Sequence, residues 1–394
     1  MKALQGIRVL DLSQVMAGPY CSMLLADMGA DVIKIEPPLR GENTRRMGPP
    51  FVNGESGAFL SVNRNKRGIA INLKEEEGVH LFHRLAKTAD VIVENYRPGV
   101  VKRLGIDYDT IRSLNPRIIY CSISGFGQTG PYSNRGGYDL IAQGMSGIMS
   151  VTGEKGGNPV KCGLPITDLG AGMFACYGIM TSLMARERTG EGQYVDTSLF
   201  EAGLAMSVWE STEYWYSGHI PQPTGSAHRL SSPYQAFRAR DGYFTIGADT
   251  EHHWPLFCSL IGLSELVTDA RFSENHARMI HLSELVQLVE EKTTVFPRSY
   301  WLEQFEKAGI PAGPINTFEE ALNDPHTLSR EMVHTLEHPI AGSIKALGVP
   351  VKLSRTPGEI VRTAPMLGEH TREIMQELDF SMQEIEYLAD KKII

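Results

Sequence analysis

The chain has 394 residues, which at ~150 residues per domain predicts two or three domains rather than one compact unit. Hydrophobic residues at 42% and charged residues at 21% match an average globular protein and exclude disordered, collagen-like and coiled-coil classes. Lys plus Arg 38 against Asp plus Glu 46 leaves a net charge of −8, which disfavours a nucleic-acid-wrapping surface and makes any phosphate site a local one.

Along the first third, short apolar runs at 7–12, 32–36, 69–73, 91–94 and 118–123 read as buried strands, each rich in Val and Ile and ended by a turn or polar cluster. Between them, 20–28 and 78–88 have helical spacing, with Leu81, Leu85 and Ala86 on one face. Strands alternating with helices imply parallel pairing with right-handed crossovers, hence an α/β doubly wound parallel sheet. In such a sheet the ligand crevice lies beyond the carboxyl ends of the strands, at the loops after Leu12, Glu36, Glu94 and Ser124. From 139 to about 184 the text is Gly- and Met-rich and helical, 194–199 adds a strand, and 201–217 reads as one helix carrying Trp209 and Trp215. A Pro/Gly linker follows at 218–226. Beyond it, a strand at 243–246 and helices at 254–261, 283–293 and 300–308 predict a second, smaller domain. A Pro-rich run at 309–314 interrupts it, and 365–388 closes the chain with a two-helix pattern.

Cys21, Cys121, Cys162, Cys176 and Cys258 are odd in number, widely spread and contain no C-x-x-C pair. That argues against a zinc ribbon and a disulfide framework, and for reduced thiols in a cytoplasmic protein. The first residues lack the apolar core of a signal peptide, and no window holds ~18 consecutive apolar residues, so neither secretion nor membrane insertion is expected.

The first strand is not followed by G-x-G-x-x-G, which removes most support for hydride transfer. No P-loop, G-x-S-x-G elbow or H-E-x-x-H occurs either. His252 and His253 are adjacent and point apart on a helix with no spaced third ligand, so no metal site is expected. Two features remain. Asp168 is delivered by a Pro-led segment into Gly170-Ala171-Gly172, either as a helix N-cap or as a reactive acid whose small neighbours admit a substrate. Gly125, Gly127 and Gly130 cluster directly after a strand, as turn residues or as a ligand cradle.

These residues also carry a resemblance. Gly6-Ile7-Arg8-Val9-Leu10-Asp11 with Ala17-Gly18-Pro19, then Gly29-Ala30-Asp31-Val32-Ile33-Lys34-Ile35-Glu36, resembles the class III CoA-transferase family, which includes formyl-CoA and carnitine CoA-transferases. The likeness continues through Asn63-Arg64-Asn65-Lys66-Arg67, Glu94-Asn95-Tyr96-Arg97-Pro98-Gly99, Ser124-Gly125-Phe126-Gly127, Asp168 and Pro365-Met366-Leu367-Gly368-Glu369-His370-Thr371, spanning essentially the whole chain.

The resemblance implies a Rossmann-like large domain, a smaller α+β domain and an interlocked homodimer whose active site lies between a large domain and the partner's small domain. Its boundaries here would be 1–200 for the first part of the large domain, 201–228 a linker, 229–325 the small domain, 326–345 a second linker and 346–394 the segment completing the large domain. It implies CoA transfer from an acyl-CoA to a free carboxylic acid through an anhydride and then a thioester on Asp168. No tightly bound cofactor or metal is needed; coenzyme A enters as acyl-CoA substrate. An Asp with its ordinary pKa of ~3.9 is already ionised at neutral pH and needs no adjacent base. Positions matching the family's CoA contacts are Val15, Ala17, Ile71, Lys74, Asn95, Tyr96 and Arg103, with Tyr138 near the thioester. Where relatives carry a run of glycines in the small domain, this chain has Gly225-Ser226-Ala227-His228-Arg229. Arg45, Arg46, His228 and Arg229 suggest a dicarboxylate such as succinate, its second carboxylate held by a charge-assisted pair. The related α-methylacyl-CoA racemases pair their Asp with a His where this chain has Tyr138. A phenol of pKa ~10 is a poor proton acceptor at neutral pH, so transfer is favoured over racemisation. A CoA-binding protein without turnover is the remaining alternative.

Overall fold

The computed structural model describes residues 1–394. Six strands, β1 (Arg8–Asp11), β2 (Asp31–Glu36), β3 (Lys66–Ala70), β4 (Val91–Glu94), β5 (Ile119–Ser124) and β6 (Tyr194–Ser198), form one sheet in the order β3-β2-β1-β4-β5-β6. Every pairing in it is parallel. This is the strand order of a doubly wound sheet whose topological switch point lies between β1 and β4. The helices that build the site are α1 (Ala17–Asp27), α2 (Glu76–Thr88), α3 (Asp139–Met145), α4 (Ile166–Thr189) and α5 (Leu199–Met206).

The strands read as continuous apolar runs because both faces of the sheet are covered. Leu10, Ile33, Ile69 and Ile92 pack on one side against Leu81, Phe82 and Leu85 of α2. Val9, Val32, Val91 and Ile119 pack on the other against Cys21 and Leu25 of α1 and Ala171, Ala175 and Ile179 of α4. Each large apolar side chain buried this way contributes roughly 1.5–3 kcal/mol, which fixes the inward face of each helix. Glu76 and Glu77 in the first turn of α2 and Lys87 in its last complement the helix dipole.

Three departures from the sequence reading have local causes. β3 covers Lys66–Ala70 rather than 69–73. Its first two residues are charged yet buried, Lys66 by Asp11 at 2.9 Å and Arg67 by Asp31 at 2.7 Å, so polarity hid the start of a strand. The helix expected over 201–217 is two helices, α5 and Val208–Ser217. Between them the Ser207 hydroxyl donates back to Gly203 O at 3.0 Å, competing with the helical ladder. Helical structure from 139 onward is interrupted between Val151 and Ile166, where Gly156, Gly157, Pro159 and Pro165 fall.

The chain forms two compact units. One comprises 1–149, 161–212 and 325–394; the other comprises 150–160 and 213–324. The second thus starts at 213 rather than 229 and takes in 150–160 from within the first. In the first unit, the segment 326–345 holds most of an antiparallel hairpin, Val333–His338 with Gly342–Leu347, and helices Thr371–Gln376 and Met382–Asp390 close the chain. The second unit has a three-stranded antiparallel sheet of β7 (Tyr234–Ala239), β8 (Gly242–Gly247) and β9 (Ala312–Pro314), with β8 in the middle. β9 grows out of the Pro-rich run, and Pro314 is tolerated because the strand is at an edge. Helices His253–Ile261, Leu282–Thr293 and Arg298–Lys307 pack Phe257, Leu285, Trp301 and Phe305 against Phe237 and Phe244 of the sheet.

Candidate active site

The β1 and β4 strands are neighbours, and the chain leaves their carboxyl ends toward different elements, opening a crevice. A cavity of about 300 Å³ fills it, lined by 14–17, 95–98, 123–125 and 135–138, together with Asp168 and Leu199. Close backbone approaches at glycine give it this shape. A Cβ on Gly125 would lie 2.6 Å from Gly137 Cα, so only two facing glycines let the 135–138 segment cross the end of β5. A Cβ on Gly172 would lie 2.7 Å from Ala17 O, so this glycine lets α4 meet the start of α1. Asp168 lies one turn earlier on α4 and is thereby brought beside residues 15–17.

Asp168 is not the N-cap of α4, which is Pro165; it sits in the first turn. The neighbouring glycines do not leave room for a substrate. Gly170 is filled by Met206 of α5 and Gly172 by α1. The Asp168 carboxylate faces the cavity and forms no hydrogen bond or ion pair with another side chain. Burial, joined by the nearby Asp139 charge, pushes its pKa up to about 7. The expectation of an ordinary, fully ionised aspartate is therefore corrected: near neutrality about half the population carries the proton.

Asp139 is tightly held. Its carboxylate accepts from Thr167 N at 3.0 Å, Thr167 Oγ1 at 2.8 Å and Gln143 Nε2 at 2.7 Å. The first of these bonds satisfies one of the unpaired N–H groups at the start of α4, so Asp139 caps from outside the helix that carries Asp168. Tyr138 precedes it as N-cap of α3 and is 71% exposed along the cavity wall, not packed in the core.

Of the residues singled out from sequence, Val15, Ala17, Asn95, Tyr96, Tyr138 and Asp168 meet at this cavity. Ile71, Lys74 and Arg103 do not line it. The Ile71 side chain is sealed in the core, and Lys74 and Arg103 are exposed on segments that follow β3 and β4. Arg45 is a structural residue: its guanidinium grips Glu36 through two 2.7 Å bonds, reaches Pro365 O at 3.0 Å and stacks 3.7 Å over Phe59. It is therefore spent on the fold and cannot serve a substrate carboxylate. Arg46 is directed to Arg40 O at 2.5 Å and lies outside the cavity. In the second unit, His228 stacks on Tyr234 at 4.8 Å, and Arg229 pairs with Glu213 at 3.2 Å and with Gln222 O at 2.8 Å.

Sequence reasoning missed three contributors. Arg97 and Arg135 are the two cations of the cavity wall, and Asp139 is the charge beside Asp168. Arg97 stood in view inside the Glu94-to-Gly99 string; nothing marked Arg135, which the Gly125–Gly137 contact carries into the wall. No cluster of three or more His, Cys, Asp or Glu suited to a metal occurs.

Comparison with known proteins identifies the family. The succinyl-CoA:glutarate CoA-transferase of Mus musculus is 43% identical over 378 residues, covering 96% of this chain and 87% of that protein. The succinate–glutarate CoA-transferase of Agrobacterium fabrum strain C58 is 40% identical over 382 residues, covering 95% and 96%. The crystal structure of a CAIB/BAIF family protein from Brucella suis superposes with a TM-score of 0.86 at 38% identity, covering 96% of this chain and all of that one. The family model described as CoA-transferase family III matches residues 4–371, and the chain belongs to that family of enzymes.

Proposed function

We propose that this CoA-transferase moves CoA from a dicarboxylyl-CoA, succinyl-CoA, to a second dicarboxylic acid, with glutarate the first acceptor to test, through covalent intermediates on Asp168. The observation that carries the reading is one unpaired carboxylate facing a switch-point cavity whose other charged side chains are Arg97 and Arg135. An ionised Asp168 oxygen attacks the thioester carbon, the C–S bond breaks, and CoA leaves as thiolate from a mixed anhydride. The thiolate then attacks the Asp168 carbonyl carbon, expelling the donor acid and leaving an aspartyl-CoA thioester. The acceptor carboxylate attacks that carbon and releases the thiolate, which takes the acceptor acyl group from the new anhydride and restores Asp168. Each step exchanges one nucleophile for one leaving group at a carbonyl, so no redox partner or net proton is consumed. The pair of names at about 40% identity supports the C4 and C5 dicarboxylates. Arg97 and Arg135 replace Arg45 and Arg46 as the cations able to meet a second carboxylate or the CoA phosphates in this cavity.

The interlocked homodimer belongs to the same proposal. Met173, Tyr177 and Met184 on α4 and Trp209, Trp215 and Tyr216 beyond it are exposed, with Tyr216 at 86%, apolar side chains that a partner copy would cover. All five cysteines are unpaired, which suits the reducing cytoplasm. No helix is long and apolar enough to cross a membrane.

The test is a donor and acceptor screen read by mass spectrometry, with peptide mapping of trapped adducts. Succinyl-CoA with glutarate should give glutaryl-CoA and an adduct on Asp168. An adduct on another side chain, or full turnover by Asp168→Asn without deamidation, overturns the assignment. Solvent deuterium entering the α-carbon of an α-methylacyl-CoA without CoA transfer would select racemisation instead.

A further inference from the structure

The loop between β1 and α1 has a shape that its own residues do not favour. Val15, in the cavity wall, has φ +68. For a β-branched residue that left-handed conformation is a genuine outlier, and such strain persists only where the surroundings over-determine it. In dinucleotide folds glycine serves the turn after the first strand, but residues 13–16 here are Ser, Gln, Val and Met.

Side chains of Asp11 at the end of β1, Lys34 in β2, Asn95 just after β4 and Glu42 in the loop after β2 supply the restraint. Ser13 N donates to Asp11 Oδ1 at 2.9 Å, and Ser13 O accepts from Lys34 Nζ. Gln14 is clamped on both backbone groups by Asn95, whose Oδ1 accepts from Gln14 N and whose Nδ2 donates to Gln14 O, each at 2.7 Å. Val15 N donates to Glu42 Oε2 at 2.9 Å. Asn95, singled out from sequence as a CoA contact, thus commits its amide to the loop.

Behind the loop lies a buried charge network. Lys34 Nζ is 3.1 Å from Glu42 Oε1 and 3.9 Å from Asp11 Oδ2, while Lys66 Nζ is 2.9 Å from Asp11 Oδ2. Glu42 is itself anchored, its backbone N donating to Glu36 Oε2 at 3.0 Å. Two carboxylates face two ammoniums, all sealed from solvent. Apolar groups of the same volume often serve stability as well as buried charges do, so the network is a candidate for a second role. Its one outlet toward the cavity is the Glu42–Val15 bond.

We propose that Glu42 is a positioning residue for acyl-CoA binding: its carboxylate, oriented by Lys34, holds Val15 in the left-handed conformation that shapes the Asp168 cavity wall. The inference rests on the reading that CoA binds in that cavity. Loss of Glu42 lets the loop relax toward negative φ, closing a wall that CoA must otherwise reopen. The penalty falls on binding and leaves the chemistry at Asp168 nearly untouched.

The experiment measures CoA affinity by titration calorimetry and steady-state kinetics on the full chain for wild type, Glu42→Ala, Glu42→Gln, Val15→Gly and the double variants. Glu42→Ala should raise Kd for CoA and KM for acyl-CoA about tenfold, the scale of one lost charge-assisted hydrogen bond, with kcat changed less than about threefold. Glu42→Gln keeps an acceptor and should recover part of the loss. Glycine reaches φ +68 without a Cβ penalty, so Glu42→Ala in the Val15→Gly background should add little to KM. Additive effects, an unchanged Kd in Glu42→Ala, or a fall confined to kcat overturn the proposal. Should Glu42→Ala fail to fold, Glu42→Gln measured with and without Val15→Gly decides by the same non-additivity. Wild-type protein that does not bind CoA overturns both this inference and the functional reading, whereas CoA binding indifferent to Glu42 overturns this one alone.

Discussion

Two aspartates at the carboxyl edge of the sheet show how one side chain type is assigned opposite tasks. Asp11 is fully buried at the end of β1, and Asp168 is partly buried at the start of α4. Burial alone would raise both pKa values, and more strongly for Asp11. For Asp11 that effect is outweighed by Lys34 and Lys66 and by hydrogen bonds from Ser13 and Ser22, which hold the carboxyl well below the usual range. Asp168 has no cation beside it and a second carboxylate nearby, so its pKa climbs to about 7. A carboxylate saturated with partners holds the loop; one without partners keeps its lone pairs open, as the proposed attack on a thioester requires.

Exchanging the two roles by mutation should produce two distinct failures. Asp168→Ala should lower kcat by about 10⁴-fold or more, the scale of losing a covalent nucleophile, while CoA still binds by calorimetry. Asp11→Asn should act on stability instead. It strips Lys34 and Lys66 of their shared counter-charge, and breaking a buried pair costs about 3–5 kcal/mol, readable in urea denaturation. An Asp11→Asn protein with wild-type stability, or an Asp168→Ala protein with wild-type turnover, would erase the distinction.

The same contrast explains what the sequence disclosed. Strands covered on both faces leave an unbroken apolar signature, so β1, β2, β4 and β5 were legible to within a residue or two, while the half-exposed edge strand β6 was found without one. β3 was displaced because Lys66 and Arg67 look like turn residues unless their partners, Asp11 and the trio Asp31, Glu373 and Glu377, are known. Those partners are 36 to 310 residues distant in the chain, beyond any local window. Arg45 misled for a similar reason: an arginine gripping a glutamate nine residues earlier has the same local text as one awaiting a substrate. The loops after β1 and β4 that line the cavity were legible from the alternation of strands and helices, and Asp168 stood out by its Pro-led, small-residue setting before the resemblance gave it a proposed role. The Asp139 charge and the strained Val15 were not, since each exists only after α3, α4 and the charged floor come together.

The raised pKa of Asp168 has consequences of a few kcal/mol. Its folded value lies above the unfolded one, so between about pH 4 and 7 the folded chain binds more protons than the unfolded chain, and this group's contribution to stability falls as pH rises through that window. Asp168→Asn removes the charge, and at pH 8 it should be more stable than wild type by about 1–2 kcal/mol once solvent screening is allowed for. By pH 4 the two melting curves should converge. A wild type equally or more stable than the variant at pH 8 would contradict the raised pKa.

The smallest effect isolates the neighbour. In the proposed mechanism the ionised form attacks, so kcat/KM for acyl-CoA should rise with pH and level off above about 7. Asp139→Asn keeps an acceptor oxygen for Thr167 N but removes the charge that acts beside burial, so the inflection should move down by less than about one pH unit. Below the wild-type inflection the variant should therefore be the faster enzyme, and above it the two should converge. An inflection that stays in place would leave burial alone responsible for the shift; one that rises would mean that Asp139 stabilises the ionised form of Asp168 by way of Thr167 and the start of α4, reversing the sign of the coupling between the two acids.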